Sequence, residues 1–209
     1  MSRYKTQRIA PILLAIVIII VAIAGLVALG RLLLTGSTSS SSTSSEQQTT
    51  ETLIATTQAN LLKTDANRSV SLTVRGPIVA DEDFRSYRIT ISPSSRNFDA
   101  FSGYLDKATS QQSLTNNIAA YSQFVNALDK AQLAKAEPVN KADTDLLGIC
   151  ATGKVYEFNL LEDGKSTALF WTSTCSGSTG NLSANVTQLS SLFYAQIPDG
   201  SNIESSLSL

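Results

Sequence analysis

The sequence predicts an α+β domain, an antiparallel sheet of about four strands with two helices packed on it, preceded by a single transmembrane helix. Three observations lead there. Segments 70–75, 87–91, 155–160 and 169–172 alternate apolar and polar residues with the period of two that half-buried antiparallel strands show. Segments 115–136 and 183–196 repeat apolar residues at helical spacing instead. A stretch of 22 uncharged residues, Ile9 to Gly30, stands near the N-terminus.

At about 1.5 Å per residue that stretch reaches about 33 Å, enough for a hydrocarbon layer of about 30 Å. Arg3, Lys5 and Arg8 precede it with no acidic residue, and only Arg31 follows before a long neutral segment. The excess of positive charge puts residues 1–8 in the cytoplasm. An anchor at 9–34, embedded in membrane lipid, then leaves the rest of the chain outside a plasma membrane crossed once. The competing reading is a cleaved signal peptide, for which Ala28-Leu29-Gly30 supplies small residues. Secretory apolar regions run only about 7 to 15 residues, which favours the anchor. Residues 35–50, TGSTSSSSTSSEQQTT, hold no large apolar side chain to offset the entropy of ordering them. Residues 35–57 are therefore expected to be a flexible tether reaching about 25 Å, and residues 58–209 the extracytoplasmic domain. Leu53, Ile54, Leu61 and Leu62 recur at roughly helical spacing, so a short amphipathic helix between Glu51 and Lys63 leads out of the tether.

In the first strand pair Val70, Leu72 and Val74 alternate with polar neighbours, as do Tyr87, Ile89 and Ile91, and Gly76-Pro77 and Pro93 punctuate them. Ile118, Tyr121, Phe124, Val125 and Leu128 then fall on one face of a helix, with Pro138 beyond its end. Asp163-Gly164, the dipeptide favoured in a type I′ turn, joins Val155–Leu160 to Leu169–Thr172 as a hairpin. Centring the turn there sets Phe158 opposite Leu169 and Tyr156 opposite Trp171, all on one face. The last helix carries Val186, Leu189, Leu192 and Phe193 as its buried stripe, with Asn181 or Ser183 as its cap and Pro198 past its end.

Extending the hairpin register gives Cys150 the parity of Tyr156 and Cys175 that of Trp171, which brings both sulfurs to one face at the open end. Outside the membrane, two such cysteines favour a disulfide; the alternative is a pair of buried thiols. Gly148 and Gly153 each mark a place where a bulge could shift the parity.

Chemistry is mostly excluded. The chain has no His, so imidazole bases and His-ligated metals are absent, and a net charge of −1 argues against a nucleic-acid partner. Gly148 to Lys154 has the spacing of a phosphate loop, but Val155 stands where magnesium binding needs Ser or Thr, and a strand follows where a helix is required. Asp81-Glu82-Asp83 is a compact acidic run, but a calcium site needs about six or more oxygens and three adjacent side chains cannot all point inward. Asn67, Asn181 and Asn185 open glycosylation triplets, which matter only in a host that glycosylates. No catalytic residue, cofactor or metal ligand is assigned, and the chain is not expected to be an enzyme. Phe98, Phe101 and Tyr104 are the candidate contact residues; the alternative is core packing of a bent strand.

The segments Arg75-Gly-Pro-Ile-Val-Ala-Asp81, Gly148-Ile-Cys-Ala-Thr-Gly153 with Trp171-Thr-Ser-Thr-Cys175, and Leu192-Phe-Tyr-Ala-Gln-Ile-Pro-Asp199 resemble small, N-terminally anchored extracytoplasmic proteins of candidate-phylum, Saccharibacteria-type bacteria. The resemblance implies a bacterial envelope and brings no catalytic residues with it. The expected function is a membrane-anchored extracytoplasmic binding module for an envelope protein or a cell-wall polymer. The alternatives are a structural subunit of an envelope assembly, associating as a homo-oligomer through the anchor and the 51–63 helix, and last a His-independent hydrolase.

Overall fold

In the computed structural model, which describes residues 41–104 and 107–209, the period-two segments assemble into a six-stranded antiparallel sheet. The strands are β1 (Arg68–Arg75), β2 (Arg85–Ile91), β3 (Ser95–Ser102), β4 (Lys107–Thr115), β5 (Val155–Glu162) and β6 (Lys165–Ser173), in the order β4-β3-β2-β1-β5-β6. Four α-helices are present among the described residues: α1 (Ser41–Leu61), α2 (Ile118–Lys130), α3 (Val186–Tyr194) and α4 (Ile203–Ser206). This overturns the expected sheet of about four strands with two helices packed on it. No described helix is long and apolar enough to cross a membrane. The segments expected to be a cytoplasmic tail (1–8), an anchor (9–34) and the start of the tether (35–40) lie outside the described residues.

The two strands missing from the sequence reading have a common cause. β4, KATSQQSLT, is an edge strand held to β3 by backbone hydrogen bonds, and it buries none of its side chains. A strand that buries nothing carries no apolar alternation. In β3 only Ala100 is fully buried, with Phe98 packed against the core from the margin. Residues 41–57, assigned to the tether by composition, are helical within α1. The C-terminal part of that helix gains what composition could not show: Leu61 enters the core, Thr57 is buried, and the Gln58 amide donates to Asp129 Oδ1 at 2.7 Å.

One face of the sheet carries the main core. Val70, Leu72 and Val74 of β1, Tyr87, Ile89 and Ile91 of β2, and Phe158 and Leu160 of β5 pack against Tyr121, Phe124, Val125 and Leu128 of α2 and Leu189 and Phe193 of α3. Phe193 is central, edge-on to Phe124 at 5.1 Å and 5.9 Å from Phe158. α2 starts at Asn117, whose side chain accepts from the Ala120 amide, and α3 at Asn185, whose side chain accepts from the Gln188 amide. The cap of α3 is thus neither Asn181 nor Ser183. Asn181 is instead spent on the outer edge of β6, accepting from Trp171 N and donating to Leu169 O and Glu137 O.

The hairpin turn forms as expected, with φ of 51° at Asp163 and 75° at Gly164. Its register does not carry through. Glu162 faces Lys165 and Leu161 faces Ser166, but a bulge at Thr167 then sets Phe158 opposite Phe170 and Tyr156 opposite Thr172. Leu169 and Trp171 consequently turn to the second face of the sheet, away from Phe158. There they meet Val155, Leu146, Cys150 and Cys175 in a separate small core.

The return of the chain past β6 is tight. Leu182 N donates to Trp171 O, and Gly180, at φ 72°, brings its backbone so close that an added Cβ would collide with the Trp171 carbonyl. Gly180→Ala is expected to destabilise by on the order of 1–3 kcal/mol, read as a lower urea midpoint at unchanged slope.

Candidate functional site

The second face of the sheet begins polar and ends in an apolar hollow. Ser71 and Thr73 of β1 lie beside Asn159 and Glu157 of β5, all of them buried. A buried carboxylate needs partners, and Glu157, 1 % exposed, has two: Arg75 Nε donates to Oε1 at 2.7 Å and Lys141 Nζ to Oε2 at 2.5 Å. Burial alone raises the carboxyl pKa, but the adjacent Arg75 and Lys141 charges and their hydrogen bonds outweigh it and hold Glu157 below the usual carboxylate range. The triad pins the end of β1 to β5 and to the 3₁₀ turn Lys141–Asp143.

Beyond Arg75 the chain leaves the sheet, and three loops close around a cavity of about 280 Å³. Gly76 and Ile78 come from the first loop, Phe84 from its return, and Leu146, Leu147 and Cys150 from the segment before β5. The loops are fastened to one another. Ile78 N donates to Ala151 O at 2.9 Å. The Cys150–Cys175 disulfide, with Cα atoms 5.5 Å apart, ties the 146–150 segment to the end of β6. Tyr104 stacks on Phe84 at 4.2 Å, its hydroxyl donating to Val79 O at 2.7 Å and accepting from Val79 N.

The expected disulfide is therefore present, but on the opposite face from Tyr156. Residues 151–153 bend instead of extending β5, so strand parity never reaches Cys150. Of the candidate contact residues, Tyr104 lines the cavity, Phe98 faces the main core, and Phe101 lies on the other face of β3 with the Arg88 guanidinium 5.6 Å from its ring. The three do not form one surface. Asp81 accepts from the Tyr104 amide at 2.7 Å, which makes it a turn residue. Among the described residues no group of three or more His, Cys, Asp or Glu side chains is placed to hold a metal ion.

No protein-family model and no curated protein matches the chain. What the site can do is thus read from its own walls. Their residues are apolar except for Arg75 and the hydroxyl-bearing Tyr104, and the rim is exposed: Leu147 at 66 %, Ile78 at 47 % and Tyr104 at 41 %. Scattered apolar residues on a surface are ordinary, but three around one concavity with an apolar floor are the usual form of a binding pocket. The sequence reading missed Ile78, Phe84, Leu146 and Leu147. The available signal was two apolar pairs, Ile78-Val79 and Leu146-Leu147, in segments with neither strand nor helix periodicity.

Proposed function

We propose that the chain is an extracytoplasmic binding module, held at the plasma membrane through residues 9–34, that captures an apolar side chain of an envelope protein in the pocket between Ile78 and Leu147. The observation that carries this reading is the exposed apolar rim around a floor stapled by Cys150–Cys175. A disulfide belongs to an oxidising compartment, which supports a position outside the cytoplasm. At about 280 Å³ the hollow lies just under the range of drug-sized sites, about 300–1,000 Å³, and suits one large side chain better than an extended acyl chain.

Leu147→Asp tests it. The side chain is mostly in water, so the change in folding stability should stay within about 0.5 kcal/mol. Burying a side chain of this size contributes about 1.5–3 kcal/mol, so losing it from an interface should weaken binding by about tenfold or more. A photo-crosslinker placed at Ile78 in the full-length protein in intact envelopes should trap a discrete protein partner, and Leu147→Asp should remove that band. If the crosslinker at Ile78 traps no more than one at the distant Thr90, the pocket has no protein ligand.

A further inference from the structure

A second cavity, of about 250 Å³, opens on the face of the sheet that carries α2 and α3, between β5, α3 and α4. Its floor is Glu204. Oε1 accepts from the hydroxyls of Tyr194 at 2.6 Å and Tyr87 at 3.2 Å, with Tyr156 at 3.5 Å, while Oε2 accepts from Lys154 Nζ at 2.5 Å. Burial raises the Glu204 pKa, but Lys154 and the Tyr194 hydroxyl outweigh it and keep the group ionised, while burial pushes Tyr156 up to about 12. Carboxylate and ammonium cancel, and the tyrosine hydroxyls are engaged within the network, Tyr194 donating to the carboxylate and the Tyr87 and Tyr194 hydroxyls hydrogen-bonded to each other at 2.6 Å. Apart from Glu204, whose charge Lys154 balances, the residues lining the cavity are uncharged: Tyr156, Tyr194, Val186, Thr187, Ser190 and Ser201. Ser190 is 4 % exposed and its Oγ has no hydrogen-bond partner. A buried hydroxyl left in that condition has hydrogen-bonding capacity to offer a polar group that enters the cavity.

We propose that this cavity binds the ring of a neutral sugar. Such a ring presents C–H groups on its face, which suit the tyrosine rings and Val186, and hydroxyls on its edge, which both donate and accept and so satisfy Ser190. A cation is disfavoured because Lys154 already neutralises Glu204, and an anion because Glu204, the one charged residue among the described lining, is a carboxylate. The volume, below that of drug-sized sites, fits one ring of a glycan and no more. This site is separate from the apolar pocket and does not depend on it.

The test uses the full-length protein in lipid nanodiscs and saturation-transfer NMR with N-acetylglucosamine, with glucosamine as the cationic arm and glucose 6-phosphate as the anionic one. N-acetylglucosamine should show transfer and the charged sugars should bind at least about tenfold more weakly, a factor that corresponds to one missing partner for a desolvated charge. Thr187→Trp, at an exposed position of the mouth, should abolish the transfer. Ser190→Ala should weaken binding about fivefold while leaving the melting temperature unchanged or raised, because it deletes an unpaired buried hydroxyl. Leu147→Asp should leave sugar binding as it was. No transfer from N-acetylglucosamine, transfer that survives Thr187→Trp, or equal binding of the charged sugars overturns the proposal.

Discussion

Reducing the Cys150–Cys175 bond, or replacing Cys150 with Ser, is expected to lower the melting temperature by about 7–14 °C. The bond closes a loop across a sequence separation of 25 residues. Chain entropy assigns such a crosslink about 3.5 kcal/mol, and for a unit of this size each kcal/mol moves the midpoint by roughly 2–4 °C. The loss should be local in structure as well. Cys150 and Cys175 belong to the small core of Leu146, Val155 and Leu169, and the 146–150 segment that they fasten forms one wall of the apolar pocket. Circular dichroism melts with and without reductant read the stability, and crosslinking from Ile78 reads the pocket. Identical melts under both conditions would mean that the bond does not form in the folded protein.

Glu157→Gln should destabilise by about 3 kcal/mol, the lower end of the cost of removing one member of a buried ion pair. The lower end applies because Lys141, 43 % exposed at its side chain, can turn to water, whereas Arg75, at 17 %, cannot. Since the native carboxyl is held below its ordinary value of 4.5, its contribution is fully present above that pH and is lost as pH falls through the native pKa. Wild-type protein should therefore lose stability on acidification below 4.5, and Glu157→Gln should lack that part of the decline. Chemical denaturation at a series of acid pH values checks both. A variant whose pH dependence parallels the wild type would show that other carboxylates govern acid unfolding.

The three Asp and Glu side chains singled out by adjacency, Asp81 to Asp83, form no site, while Glu157 and Glu204, which sit at the centres of the two polar networks, carried no sequence signal. Their neighbours in the chain are unremarkable. Glu157 meets Arg75 across 82 positions and Glu204 meets Lys154 across 50, and such distances along the chain hide a pair completely. Lys154 shows the same thing from the other side: read along the chain it ends a phosphate-loop spacing, and in space it neutralises Glu204.

Some of the protein was legible residue by residue because local physics decides it. Val70, Leu72 and Val74 must bury one side of a strand, Asp163-Gly164 must turn with positive φ, and Tyr121, Phe124, Val125 and Leu128 must share a helix face. Those patterns depend only on neighbours within a few positions. Tertiary structure decided the rest: the bulge at Thr167 that sends Leu169 and Trp171 to the second face, the edge strand β4 that buries nothing, and the union of Ile78, Tyr104 and Leu147 around one hollow. A bulge costs one residue of register without needing a Gly or Pro to announce it, and an edge strand is held by backbone groups that every sequence possesses. A pocket is made from segments whose nearness is set by the sheet order, and that order is nowhere written in the period of a single strand.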